Sequence, residues 1–144
     1  MPRLDAERIG LWRQYCQLSA ALQRKIDQQL ADEHYMSLAW FECMAAIREA
    51  GGTMRVHELC EQLGDLPSSL SRRLDRLEDE GLVRRKHTPL PDDRRAVSVS
   101  LTKAGREVWR DANITFRRMV QHHFALHLTD TDIAALQRVL GKLS

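Results

Sequence analysis

A mainly helical fold carrying one small β-hairpin is predicted by three observations. Apolar residues recur every three or four positions through most of the 144 residues. Strict alternation, the mark of a half-buried strand, is confined to Val97, Val99 and Leu101, with Ser98 and Ser100 on the opposite side. Ahead of it, two short helical patterns are separated only by a turn at Gly64-Asp65-Leu66, the spacing of a helix-turn-helix. With the hairpin that follows, these form a winged helix-turn-helix lobe. Long helical patterns at both termini form a second, helical region.

The elements follow in order. From about Leu4 to Leu30, Ile9, Trp12, Cys16, Ser19, Leu22, Ile26 and Leu30 trace one stripe of a long helix. A second stripe holds Leu11, Tyr15 and Leu18, so this helix touches more than one body. The polar run ADEHYMS breaks the pattern. Ser37 is placed to cap a helix ending near Ala50 that buries Leu38, Phe41, Met44, Ala45 and Ile47. Gly51-Gly52 stops it, since glycine accepts the left-handed backbone of a helix end. Thr53-Met54-Arg55 is a minimal strand candidate. Val56–Leu63 is a short helix with Val56, Leu59, Cys60 and Leu63 inward. Pro67 suits a first helical position, where its missing N–H costs nothing, and this helix runs to Glu80 on Leu70, Leu74 and Leu77. Leu82–Lys86 starts the hairpin, His87–Arg95 is its Pro- and Asp-rich tip, and Ala96–Leu101 returns. Thr102 caps a helix to about Leu126. Thr129 with Asp132 resembles a capping box before a last helix bearing Ile133, Leu136, Val139, Leu140 and Leu143.

Net charge is only +2, but it is unevenly placed. Between Ser68 and Arg106 ten basic residues face six acidic ones, a local excess of +4 that favours a polyanionic partner. Cys16, Cys43 and Cys60 show no CxxC pairing, and the charged start MPRLDAERIG has no apolar signal core. A cytoplasmic protein with free thiols and no membrane association is expected. No nucleophile, phosphate-binding or metalloprotease motif is present, so an enzyme is not expected, and no cofactor is implied. The terminal helices carry more apolar surface than the central lobe covers, and a homodimer joined through both termini would bury it. Residues 1–35 and 106–144 are thus assigned to a helical dimerisation domain and 36–105 to the winged helix-turn-helix domain.

Two stretches, ELCEQLGDLPSSLSRRLDRLEDEGLVRR at Glu58–Arg85 and DDRRAVSVSLTKAG at Asp92–Gly105, resemble the MarR family of bacterial transcription regulators. The resemblance covers essentially the whole chain. It implies a homodimeric regulator, commonly a repressor, that binds double-stranded DNA at a pseudo-palindrome. It also implies a small aromatic or phenolic effector. By position the DNA-binding residues would be Pro67, Ser68, Ser69, Ser71, Arg72, Arg73 and Arg76 on the recognition helix. Asp93, Arg94 and Arg95 would join them at the wing, with Asp93 accepting from the Arg95 guanidinium. Their chemistry agrees: Ser and Arg suit phosphates and base edges, and Arg suits a narrow minor groove. The chain departs from the family at Leu66, where a Ser, Thr or Asp would cap the recognition helix. Arg84, Arg85 and Lys86 are either a solvated strand edge or further phosphate contacts.

Trp12, Tyr15, Trp40 and Trp109 are candidate walls of an effector pocket, against plain core packing. His34 and Tyr35 are weaker candidates for it. His123 and His127 stand four residues apart beside His122, a spacing open to a metal but with no further ligand in pattern. Cys16 is a candidate redox sensor, with a buried inert thiol the stronger reading. A sensor of the same fold using Cys16 or a metal, and a winged helix that binds proteins rather than DNA, are the alternatives.

Overall fold

A computed structural model describes residues 5–144; Leu4, where the first helix is expected to begin, lies outside them. Helix α1 spans Ala6–His34, capped by the Asp5 carboxylate on the N–H groups of Glu7 and Arg8. It runs four residues past the expected end at Leu30. Its last turn is anchored from outside by Glu33, which accepts hydrogen bonds from Thr115 and Arg118. Tyr35 then turns the chain with φ 54°, and α2 covers Leu38–Glu49. Ser37 caps α2 as expected, and Asp27 of α1 accepts from the Leu38 N–H at 2.7 Å, tying the two helices at the corner.

Strand β1 is Thr53–Arg55, α3 is Val56–Leu63 and α4 is Pro67–Asp79. Strand β2 is Val83–His87, one residue later than expected, and β3 is Val97–Leu101. Leu82 is withheld from the strand because its N–H donates to Leu77 O and its carbonyl accepts from Thr102. The sheet is antiparallel in the order β1-β3-β2, with Met54 opposite Val99 and Arg85 opposite Val99 on the other side.

Helix α5, Lys103–His123, is capped by Thr102 on the Gly105 N–H. It stops short of Leu126 because Phe124 leaves helical geometry at φ −129°, and a 3-10 turn follows at Ala125–His127. Helix α6 is Asp130–Leu143, with Thr129 and Asp132 capping each other reciprocally. Among the described residues no helix is long and apolar enough to cross a membrane.

The core lies where α2, α3, α4 and the sheet meet. Phe41, Met44, Ile47, Leu59, Leu70, Leu74, Leu77, Val83 and Val99 are fully buried. Each such side chain is worth roughly 1.5–3 kcal/mol of burial. Leu30 and Trp109 bring α1 and α5 onto this core, and Phe41 stacks against both Trp109 and Phe116. The apolar residues of α6 are exposed within one chain: Leu136 is 40% and Leu143 78% exposed. The first half of α1 is uncovered in the same way, from Ala6 to Leu18.

A polar cluster at the α1–α5 junction is paired internally. Thr115, 3% exposed, donates to Glu33 at 2.5 Å, so the His34 Nε2 atom 2.7 Å away must be the donor toward Thr115. Hydrogen bonds from Thr115 and then Gln29 hold the Glu33 carboxyl down at about 2. A carboxyl with a lower pKa folded than unfolded adds stability that is complete above its ordinary value of 4.5 and fades as the pH falls toward 2. Urea denaturation between pH 5 and pH 2.5 should therefore show Glu33→Gln losing less stability across that window than the parent protein.

Candidate nucleic-acid interface

Two exposed surfaces carry the chemistry expected of the lobe: one face of α4 and the tip between β2 and β3. On α4, Leu70, Leu74 and Leu77 point into the core. The 3.6-residue period then puts Pro67, Ser68, Ser71, Arg72 and Arg76 outside, where all are exposed, with Ser69 half-buried beside them. No side chain caps the first turn. Leu66 cannot, and Asp65 does not, because its carboxylate takes the Arg73 guanidinium at 2.5 Å.

That pairing separates Arg73 from the other sequence candidates. Its side chain is only 18% exposed and bridges α4 to the preceding turn rather than standing out from the helix. The Cys60 thiol reinforces the same turn by donating to Asp65 O.

At the wing, Arg94 and Arg95 are both exposed. Asp93 does not hold the Arg95 guanidinium as expected. Its Oδ1 accepts the backbone N–H of Arg95 at 3.0 Å, closing a tight turn through the main chain. Paired bonds between Leu90 and Asp93 and a 2.7 Å contact from His87 Nε2 to Arg94 O complete the tip. The tip is thus ordered by its own backbone, and its two guanidiniums are left outside.

The strand bases divide by the pleat. Arg84 and Lys86 are exposed on one side. Arg85 faces α4, where its guanidinium meets Asp75 and Glu78, and its backbone N–H donates to Glu78 Oε2 at 2.8 Å. Those bonds, the backbone one foremost, hold the Glu78 carboxyl below the usual range. Sequence alone missed both the Asp65–Arg73 and the Arg85 pairings. The available signal was Asp75 and Glu78, three residues apart on one helix flank. Among the described residues Arg72, Arg76, Arg84, Lys86, Arg94 and Arg95 form no ion pair.

The four aromatic candidates are spread out. Trp109 is core, under the Arg48 guanidinium and against Phe41. Trp40 is half-buried on α2. Trp12 and Tyr15 are exposed neighbours on α1 with ring centroids 6.0 Å apart. Tyr15 also lines an apolar groove of about 800 Å³ between α1, the end of α5 and α6, together with Leu18, Leu22, Ile133, Leu136 and Leu140. His34 sits on Thr115 and Tyr35 is exposed. Cys16 is exposed, not buried as expected, because this half of α1 stands clear of the core. Cys43 is buried, and burial pushes its thiol up to about 11. His122 and His123 stack edge to face, and among the described residues no three His, Cys, Asp or Glu side chains are grouped to hold a metal.

Set beside known proteins, residues 36–97 match the MarR family model. The transcriptional regulator PecS of Dickeya dadantii is 30% identical over 106 residues, covering 72% of this chain and 62% of PecS. The chain spans 36% to 62% of the length of the curated relatives it matches. Two crystal structures align over 99% of it. One is Sco3205, a MarR family regulator from Streptomyces coelicolor in complex with DNA (28% identity, TM-score 0.87, 89% of that chain). The other is a mutant MarR from E. coli complexed with operator DNA (27% identity, TM-score 0.80, 99% of that chain).

The division of cations has a measurable consequence. Removing Arg73 leaves Asp65 half-buried and unpaired, so Arg73→Ala should cost about 1–2 kcal/mol in urea denaturation. Arg72→Ala, on the exposed face, should stay within about 0.5 kcal/mol of the parent.

Proposed function

This chain belongs to the MarR family, and on that premise we propose that it is a sequence-specific DNA-binding transcriptional repressor that works as a homodimer. The observation that carries the reading is the set of exposed, ion-pair-free guanidiniums on α4 and at the wing tip, with Arg84 between them on β2. Arg72 and Arg76 stand on α4 beside Ser68 and Ser71, and Arg94 and Arg95 stand on the tip. A helix suits the major groove, where Arg reads guanine bidentately and Ser reaches base edges or phosphates. An Arg-bearing tip suits the adjacent minor groove. Arg73 is better assigned to holding the turn than to reading, and Pro67 and Ser69 to shaping the first turn.

Dimerisation is supported by the apolar groove beside α6 and by the uncovered face of α1. We assign residues 1–35 and 106–144 to the dimer and 36–105 to the DNA lobe. Two lobes on a two-fold axis would meet half-sites about one helical turn apart, hence a pseudo-palindromic operator that the bound dimer blocks. Release is assigned to a small aromatic or phenolic ligand. A cavity of about 730 Å³ between α1, α2 and α5 supports this, with Ile26, Leu38 and Phe116 as apolar wall and Gln23, Arg24, Asp27 and Glu42 as polar groups. Such a ligand acts only by favouring a spacing of the lobes that DNA does not.

Mobility shift against fragments of the source genome at low salt tests the reading, and the absence of any retarded fragment would end it. Arg94→Ala with Arg95→Ala should weaken binding and flatten its salt dependence, by about one unit of slope for each phosphate no longer neutralised. In sedimentation, the parent should run as a dimer and Leu136→Glu as a monomer with weakened DNA binding.

A further inference from the structure

We propose that Arg85 is a positioning residue that fixes the angle between α4 and the wing, and that it does not itself contact DNA. The proposal rests on the DNA-reading role above. Strand β2 lies at the edge of the sheet, so its outward N–H groups have no strand partner. The Arg85 N–H finds one in the Glu78 carboxylate of α4, at 2.8 Å. The other oxygen of that carboxylate accepts from the Arg85 guanidinium at 3.2 Å, and one turn earlier Asp75 accepts from the same nitrogen. One residue is therefore gripped by both backbone and side chain, at two levels of the helix. Helix α4 can neither roll nor slide along β2 without breaking several charge-assisted bonds.

The same bonds remove Arg85 from the set of free cations. Its side chain is 24% exposed, whereas its neighbours Arg84 and Lys86 point to the other side of the pleat and are exposed and unpaired. The pairing also offsets part of the negative charge of Asp75, which stands on the flank of α4 beside Arg72 and Arg76 and would otherwise repel phosphates. Because Ser68, Ser71 and Arg72 lie on α4 while Arg94 and Arg95 lie on the wing, the spacing of the two readers depends on this joint.

The test uses the full-length protein and a duplex selected by the parent protein from a random library, with affinity measured over a range of salt. Arg85→Lys keeps the charge and loses the fork, and should bind about tenfold more weakly at unchanged salt slope. Glu78→Gln removes a negative charge near the DNA face. Simple electrostatics would tighten binding, whereas loss of the joint should weaken it by about tenfold. In the free protein, Glu78→Gln should also speed hydrogen exchange of the Arg85 amide. A parental affinity for Arg85→Lys, tighter binding by Glu78→Gln, or an Arg85→Ala salt slope lower by about one unit would each overturn the proposal. If the parent selects no duplex, the DNA reading itself fails, and the exchange measurement still decides whether the joint holds β2. Should Arg85→Ala not fold by circular dichroism, the Arg85→Lys and Glu78→Gln variants carry the test.

Discussion

The close approach of α5 to the Leu82 carbonyl is the constraint on which the arrangement depends. A Cβ at Gly105 would collide with that carbonyl, so the helix can lie where it does only with glycine there. Around this point three elements end or begin. Gly81, at φ 74°, closes α4; the Thr102 hydroxyl donates to Gly81 O, and the Thr102 N–H donates to Leu82 O. The Gly105 N–H in turn donates to Thr102 Oγ1. The end of α4, the root of the wing and the start of α5 are thus one hydrogen-bonded knot. The links run through backbone groups and one short hydroxyl, with no long side chain between α5 and the end of α4.

Charge in this molecule works through allocation more than through total. A net +2 on 144 residues is weak, and an excess of four within one segment is modest. Two guanidiniums there are already committed to internal carboxylates: Arg73 to Asp65, and Arg85 to Asp75 and Glu78. What remains is a small group of exposed cations at three positions: on α4, on the outer side of β2 and at the wing tip. That arrangement favours a ligand with regularly spaced anions over a small anion, which would need the cations to converge.

Much of this was legible because the signals are local. Ser37, Pro67, Thr102 and the Thr129–Asp132 pair each act within one helical turn, and each does what its type and spacing imply. The reading of α4 as a helix with one leucine face and one Ser/Arg face needed only the 3.6-residue period. The failures lie where partners come from far along the chain. The last turn of α1 carries no apolar signal, and Glu33 is held by Thr115 and Arg118, more than eighty positions away. Which arginines are free cannot be read from arginine, since the choice depends on which carboxylates folding brings alongside. Asp93 was assigned to the Arg95 side chain, but a short side chain reaches its neighbour's main chain first. The exposure of Cys16 and of α6 reflects surface that one chain alone does not cover.

The sheet order has a mechanical corollary. Because β3 is central, the wing is not a free-standing hairpin: three residues, Thr53–Arg55, are laid along its far edge. Those residues follow α2 after a three-residue turn and lead directly into α3. The wing behaves as a cantilever clamped over Ser98–Ser100 on both sides, with only the segment beyond Val97 and His87 overhanging. Stiffness at the base and a short overhang limit how far the tip guanidiniums can swing.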